Sequence, residues 1–206
     1  MTGKIKLNAA SGGGSVSFQA PSSTGDDRII TLPTSADGTV LTTTNPKAGN
    51  ILQVVQAVKT DTSSTNSATF SDISGLSVSI TPTSTSNKIL VSCNLFVSGV
   101  ENSFAGFKVL RDSTAIGLGT GASGSRTNVS MATAAINASS SAYGLTNASF
   151  EFLDSPSSTS SLTYKVQFGS MFNSVNTYIN RPHVISEDRA MEMYTSSQIT
   201  VMEVAG

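Results

Sequence analysis

Between Leu162 and Phe168 apolar and polar side chains alternate: Leu162, Tyr164, Val166 and Phe168 against Thr163, Lys165 and Gln167. Period-two spacing marks a strand with one buried face. Phe150 and Phe152 flank Glu151 in the same way. Between the two runs, Asp154-Ser155-Pro156 and the serines and threonines after it are turn chemistry. The stretch 149–168 therefore predicts an antiparallel hairpin, and its aromatic content places it at the centre of a sandwich.

The same alternation recurs through the last three quarters of the chain. Leu76, Val78 and Ile80 form one inward-facing set, after a short strand over 67–73. Ile89, Val91, Cys93, Leu95 and Val97 form the next set. Segments 104–111 and 114–119 predict a hairpin turning at Asp112-Ser113. A glycine-serine loop follows over 119–128. Strands are expected over 129–136, 145–148 and 174–179, with a long loop over 180–194. The first strand, Ile51-Leu52-Gln53-Val54-Val55-Gln56-Ala57-Val58, and the last, over 198–205, are apolar on both parities. Both of their faces are expected to be covered. Eight to ten strands at regular spacing, with no helical periodicity, predict an all-β antiparallel jelly-roll sandwich. In such a fold the two terminal strands often pair. Their second apolar stripe, with Leu52, Val54, Val58, Met202 and Val204 as candidates, is then expected to meet other copies in a homotrimer; the alternative is cover by loops of the same subunit.

Residues 1–46 read differently. Short strand candidates carry only two or three apolar residues each, among them Ile5, Leu7, Val16, Phe18 and Ile30. So few apolar groups cannot build an independent core. The segment is expected to be an extended β-rich arm that docks through those five residues, separated at Asn45-Pro46 from a head over 47–206.

Composition narrows the function classes. The chain has 206 residues and a net charge of −1, with charged residues at 12% and no tryptophan. Serine and threonine supply about 30% of it. A near-neutral surface offers no electrostatic case for nucleic acid or an acidic membrane. No apolar run reaches membrane-spanning length, and the N-terminus lacks a signal-peptide pattern, so synthesis in a reducing cytoplasm without membrane insertion is expected. Cys93 is the only cysteine and shares parity with core residues, which predicts a buried thiol.

Three motifs together resemble phage fibre proteins of the kind found in cyanobacterial viruses. The first begins Gly3-Lys4-Ile5-Lys6-Leu7-Asn8-Ala9-Ala10-Ser11-Gly12-Gly13-Gly14 and continues to Asp37-Gly38-Thr39-Val40-Leu41. The second is Ile51-Leu52-Gln53-Val54-Val55-Gln56-Ala57-Val58-Lys59-Thr60-Asp61-Thr62. The third joins Phe152-Leu153-Asp154-Ser155-Pro156 and Thr163-Tyr164-Lys165-Val166 to Ile199-Thr200-Val201-Met202-Glu203-Val204-Ala205. The resemblance spans nearly the whole chain, and none of its motifs is catalytic. It implies a homotrimeric head similar to the complement C1q/tumour-necrosis-factor jelly roll, and an N-terminal part attached to other virion proteins. The expected role is a virion tail fibre contacting the host surface. The alternatives are a capsid fibre or decoration protein without a receptor, and a carbohydrate-degrading fibre enzyme.

Candidate chemistry is sparse. His183 is the single histidine and has no nucleophile elbow near it in sequence. With one cysteine it cannot complete a zinc set, so no metal or cofactor is expected. The acids available for a glycosidase pair are Glu187, Asp188 and Glu192, or Asp26 and Asp27, and neighbouring acids usually point apart. The loop 180–194 is the most promising surface. It carries six ionisable side chains in fifteen positions and has Tyr178 and Tyr194 at its borders. Arg181, His183, Glu187, Asp188, Arg189 and Tyr194 are candidate contacts to a host surface polysaccharide, because arginine and aromatic side chains are frequent recognition anchors. Salt bridges between subunits are the competing use of the same charges.

Overall fold

The computed structural model describes residues 4–8, 15–19, 46–100, 103–133, 143–171, 175–185 and 188–206. The chain divides into two compact units, Met1–Val40 and Leu41–Gly206, a boundary ahead of the Asn45-Pro46 break. In the first unit, β1 (Lys4–Asn8) and β2 (Ser15–Gln19) form an antiparallel ribbon in which Ile5 lies opposite Phe18 and Leu7 opposite Val16. Leu7 is exposed. The strands expected near 28–32 and 39–42, with Ile30, lie outside the described residues.

The second unit holds β3 (Ile51–Lys59), β4 (Ser63–Thr65), β5 (Ser71–Ile80), β6 (Lys88–Gly99), β7 (Ala105–Arg111), β8 (Thr114–Ile116), β9 (Met131–Thr133), β10 (Thr146–Asp154), β11 (Leu162–Ser170), β12 (Thr177–Ile179) and β13 (Ser197–Val204). In the first sheet β3 pairs β13, β13 pairs β6, and β6 pairs β10; the short strands β4 and β12 extend it beyond β3 and β13. In the second sheet β5 pairs β11, β11 pairs β7, and β7 pairs β8 and β9 along one edge. Outermost strands thus pair with each other (β3 with β13), then β5 with β11, β6 with β10, and β7 with β8 and β9. Nested pairing of this kind is a jelly roll, all-β and antiparallel as the alternation predicts.

Side-chain parity builds the core. Ile73, Leu76, Val78 and Ile80 of β5, Tyr164, Val166 and Phe168 of β11, and Phe107 and Val109 of β7 meet Ile89, Val91, Cys93, Leu95, Ile199 and Val201 of the opposing sheet. Burial pushes the Cys93 thiol up to about 12.

Two expectations need correction. The runs 149–154 and 161–168 do not form a hairpin. β10 pairs β6 at the edge of one sheet, β11 lies between β5 and β7 in the other, and the polar run between them crosses from sheet to sheet. Alternation records which face a residue takes, not which strand lies beside it. Likewise 67–73 and 76–80 are not two strands. A single β5 runs through both, with Gly75 at φ +85° and a register shift against β11 between Lys165 and Gln167. The hairpin at Asp112-Ser113 forms as expected; Asp112 takes φ +53°, and its Oδ1 accepts from Thr163 N at 2.9 Å.

Candidate functional site

Two surfaces bear on function: a loop set into one sheet, and the outer face of that sheet. The loop 180–196 interrupts what would be one long strand. β12 and β13 lie along the same edge of β6, pairing with 97–99 and 88–94. Opposite them, β3 and β4 are interrupted at 60–62. Asn180 bridges the two interruptions. It is fully buried at φ +64°; its Nδ2 donates to Lys59 O at 2.8 Å and to Asp61 O at 2.9 Å, and its Oδ1 accepts from Ser197 Oγ at 2.6 Å. Its backbone closes the loop's neck: Asn180 N donates to Phe96 O at 2.9 Å, and Thr195 N donates to Asn180 O at 3.1 Å. The buried Lys59 amine reaches Asp61 at 2.8 Å, and that bond holds the exposed Asp61 carboxyl below the usual range.

Beyond this neck, Arg181 and His183 fold back onto Tyr178 of β12. The Arg181 guanidinium sits 3.9 Å from the Tyr178 ring centroid, and the His183 ring stacks on Tyr178 at 5.9 Å with 12° between planes. Ser98 Oγ donates to Arg181 O at 2.7 Å and pins the turn. Burial, and then the Arg181 charge, push the His183 pKa below the ordinary value, so the imidazole is neutral at pH 7. Its Nδ1 is buried without a hydrogen-bond partner among the described residues. Of the six contact candidates, Arg181 and His183 are therefore brought together. Asp188 is exposed at φ +52°, Arg189 Nη1 donates to Tyr143 OH at 3.3 Å, and Tyr194 is 59% exposed. Glu187, Asp26 and Asp27 lie outside the described residues. Among those described, no group of three or more His, Cys, Asp or Glu is placed to hold a metal ion.

The outer face of the first sheet is built row by row from register. Val54, Met202, Leu90 and Leu153 lie side by side across β3, β13, β6 and β10. Ile51 pairs Val204 in the next outward row, with Leu52 at the register shift beside them. Val54 is 56% exposed, Ile51 50% and Leu153 47%. Val58 is also exposed, but a polar row, Gln56, Thr200, Ser92 and Glu151, separates it from Val54. Both faces of the terminal strands were expected to be covered; among the described residues of the second unit, Val54, Ile51 and Leu153 on this one are exposed. Leu90 and Leu153 were missed by sequence reasoning, although each is an apolar residue on the off-parity of its strand. The outer face of the second sheet differs: Ser77, Ser79, Thr163, Lys165 and Gln167 dominate it, and Lys165 and Gln167 both donate to Asp72, at 2.8 and 2.7 Å.

One end of the sandwich is closed by buried charge. Glu203 is fully buried; its Oε1 accepts from Thr83 N at 2.6 Å, Thr83 Oγ1 at 2.8 Å and Asn87 Nδ2 at 2.5 Å, and its Oε2 from Gln53 Nε2 at 2.6 Å. Burial alone would raise its pKa; these donors more than offset it and hold the pKa below the ordinary value. Nearby Asp154 accepts from Arg111 Nη1 at 2.8 and 2.6 Å and from Tyr164 OH at 2.7 Å, tying β10 to the opposing sheet. These groups have full partners and a structural task.

The fold and these surfaces define a jelly-roll protein with an unpaired apolar sheet face and a loop set into that same sheet. No protein-family model and no curated protein matches the chain. Among solved structures it is similar to a chain of infectious bursal disease virus, Gt strain, at TM-score 0.41 and 9% identity, covering 94% of this chain and 48% of that one. It is similar to a chain of the Gx strain at TM-score 0.35 and 13% identity, covering 93% of this chain and 51% of that one. The chain spans about half the length of each.

Proposed function

We propose that the chain is a non-enzymatic phage fibre protein, working as a homotrimer in the virion and made in the host cytoplasm. Its jelly-roll head assembles through the outer face of the β3–β13–β6–β10 sheet and presents the loop 180–196 to a host surface polysaccharide. Its N-terminal arm docks on other virion proteins through Ile5, Leu7, Val16, Phe18 and Ile30. The observation that carries this reading is the apolar row Val54–Met202–Leu90–Leu153 with Ile51 and Val204 beside it, in which Val54, Ile51 and Leu153 are each about half exposed among the described residues. Large exposed apolar patches mark interaction surfaces. The contrast with the polar outer face of the other sheet gives assembly a direction. Fully burying each such side chain stabilises by roughly 1.5–3 kcal/mol. Sedimentation of the full chain should therefore report a trimer, and Met202→Asp with Val54→Asp should give monomers that keep the β-sheet circular dichroism. A well-folded wild-type monomer would overturn the assembly. Turnover of host polysaccharide by the purified chain would overturn the non-enzymatic reading.

A further inference from the structure

The outer face of the second sheet is interrupted by a hollow. Gly169 of β11, Gly106 of β7 and Ala132 of β9 lie side by side across three neighbouring strands. Neither glycine has room for a side chain: a Cβ at Gly169 would meet Met171 Cε at 2.7 Å, so Met171 lies over that end of the row and the hollow is lined by Gly106 and Ala132. A Cβ at Gly106 would meet Val129 Cγ1 at 3.1 Å, Phe70 Cζ at 3.3 Å and Met171 Cγ at 3.4 Å, so three apolar side chains converge over the floor. The loop between β8 and β9 forms one wall, its neck closed where Gly119 N donates to Val129 O at 3.1 Å.

The resulting cavity has a volume of about 440 Å³, inside the range of small-molecule sites. Its apolar lining comes from Phe104, Val129 and Met171, and its polar lining from Ser125, Arg126 and Thr127. The described lining contains a guanidinium and no carboxylate. One Arg126 Nη1 hydrogen bond goes to Ser123 Oγ at 3.2 Å, and a guanidinium carries five N–H donors in all.

We infer that this hollow binds an acidic saccharide, with the carboxylate on Arg126 and the C–H face of the sugar ring over Val129 and Met171. Each part of the lining selects for that chemistry. A planar guanidinium accepts a carboxylate in two parallel hydrogen bonds. Serine and threonine hydroxyls suit a ligand with many hydroxyls, and the flexible Met171 adapts to a ring face. An aliphatic acid would leave those hydroxyls facing hydrocarbon. This site is separate from the loop 180–196 and does not depend on the fibre reading.

The test is calorimetric titration of the full chain with a glucuronic acid–glucose disaccharide. A neutral glucose disaccharide and octanoate serve as comparisons. The acidic sugar should bind at least roughly tenfold more tightly than either, the value of one good charged hydrogen bond. Arg126→Gln should remove the preference over the neutral sugar. Ala132→Phe, at an exposed position beside the floor, should fill the hollow and abolish binding with an unchanged melting temperature. Equal binding of the acidic and neutral sugars, equal binding of octanoate, undiminished binding by Ala132→Phe, or no binding of the acidic sugar would each overturn the assignment.

Discussion

Replacing Asn180 tests how the sheet holds its inserted loop. The side chain makes three hydrogen bonds, two as donor to Lys59 O and Asp61 O and one as acceptor from Ser197 Oγ. Each contributes roughly 0.5–1.5 kcal/mol, so losing all three costs about 1.5–4.5 kcal/mol. Asn180 also sits at φ +64°, where alanine is disfavoured by roughly 1–2 kcal/mol. Asn180→Ala should then lose about 2.5–6.5 kcal/mol, a large share of the 5–15 kcal/mol typical of a domain. Asn180→Asp separates the two causes. Aspartate tolerates the left-handed conformation and keeps the acceptor for Ser197, but turns an oxygen toward two carbonyls. It should lose at least about 2 kcal/mol through the missing donors alone. Urea unfolding of the full chain at pH 7 measures both, with an unchanged slope confirming the same unfolding reaction. Hydrogen exchange at the Thr195 amide, which donates to Asn180 O, should accelerate in parallel. If both variants stay within about 1 kcal/mol of wild type, the bridge does not hold the two interruptions together.

Other outcomes follow from the buried charges and the thiol. The Glu203 pKa is held below its ordinary 4.5, so its contribution is complete above that value and is lost as pH falls through the lower folded value; Glu203→Gln should flatten the acid side of the stability–pH curve, and parallel curves would refute this. Arg111→Ala leaves the Asp154 carboxylate buried without its cation and should cost about 3–5 kcal/mol, whereas Tyr164→Phe, losing one hydrogen bond, should cost about 1–2 kcal/mol; denaturant titrations showing the reverse order would contradict the network. Cys93, buried with its thiol pushed up to about 12, should resist a thiol reagent at pH 8 until urea unfolds the chain; modification at the rate of a free thiol would exclude the buried placement.

What could be read from the sequence was parity. Tyr164, Val166 and Phe168 were placed inward by alternation alone, and they are inward. Partnership was not readable, because alternation is the same whichever strand lies beside a residue; β10 and β11 were therefore joined although they belong to opposite sheets. The buried charges had a signal that went unused. Lys59 follows Val55 and Ala57, Asp154 follows Phe150 and Phe152, and Glu203 follows Ile199 and Val201, each on inward parity at a strand end. Asn180 had no such signal, since an asparagine at the start of a polar loop reads as solvated. The hollow at Gly106 needed register: Gly106, Ala132 and Gly169 are far apart in the chain and adjacent only across strands.

The divided strand has an evolutionary consequence. Because β12 and β13 each pair independently with β6, and the neck between them is closed at Asn180 and Thr195, the length and sequence of the intervening segment do not enter the pairing of either half. Residues beyond the neck can be lengthened, shortened or exchanged while every strand keeps its neighbour. The same property makes that segment a cassette for grafting: a foreign peptide set between Arg181 and Tyr194 would be displayed from a fixed base.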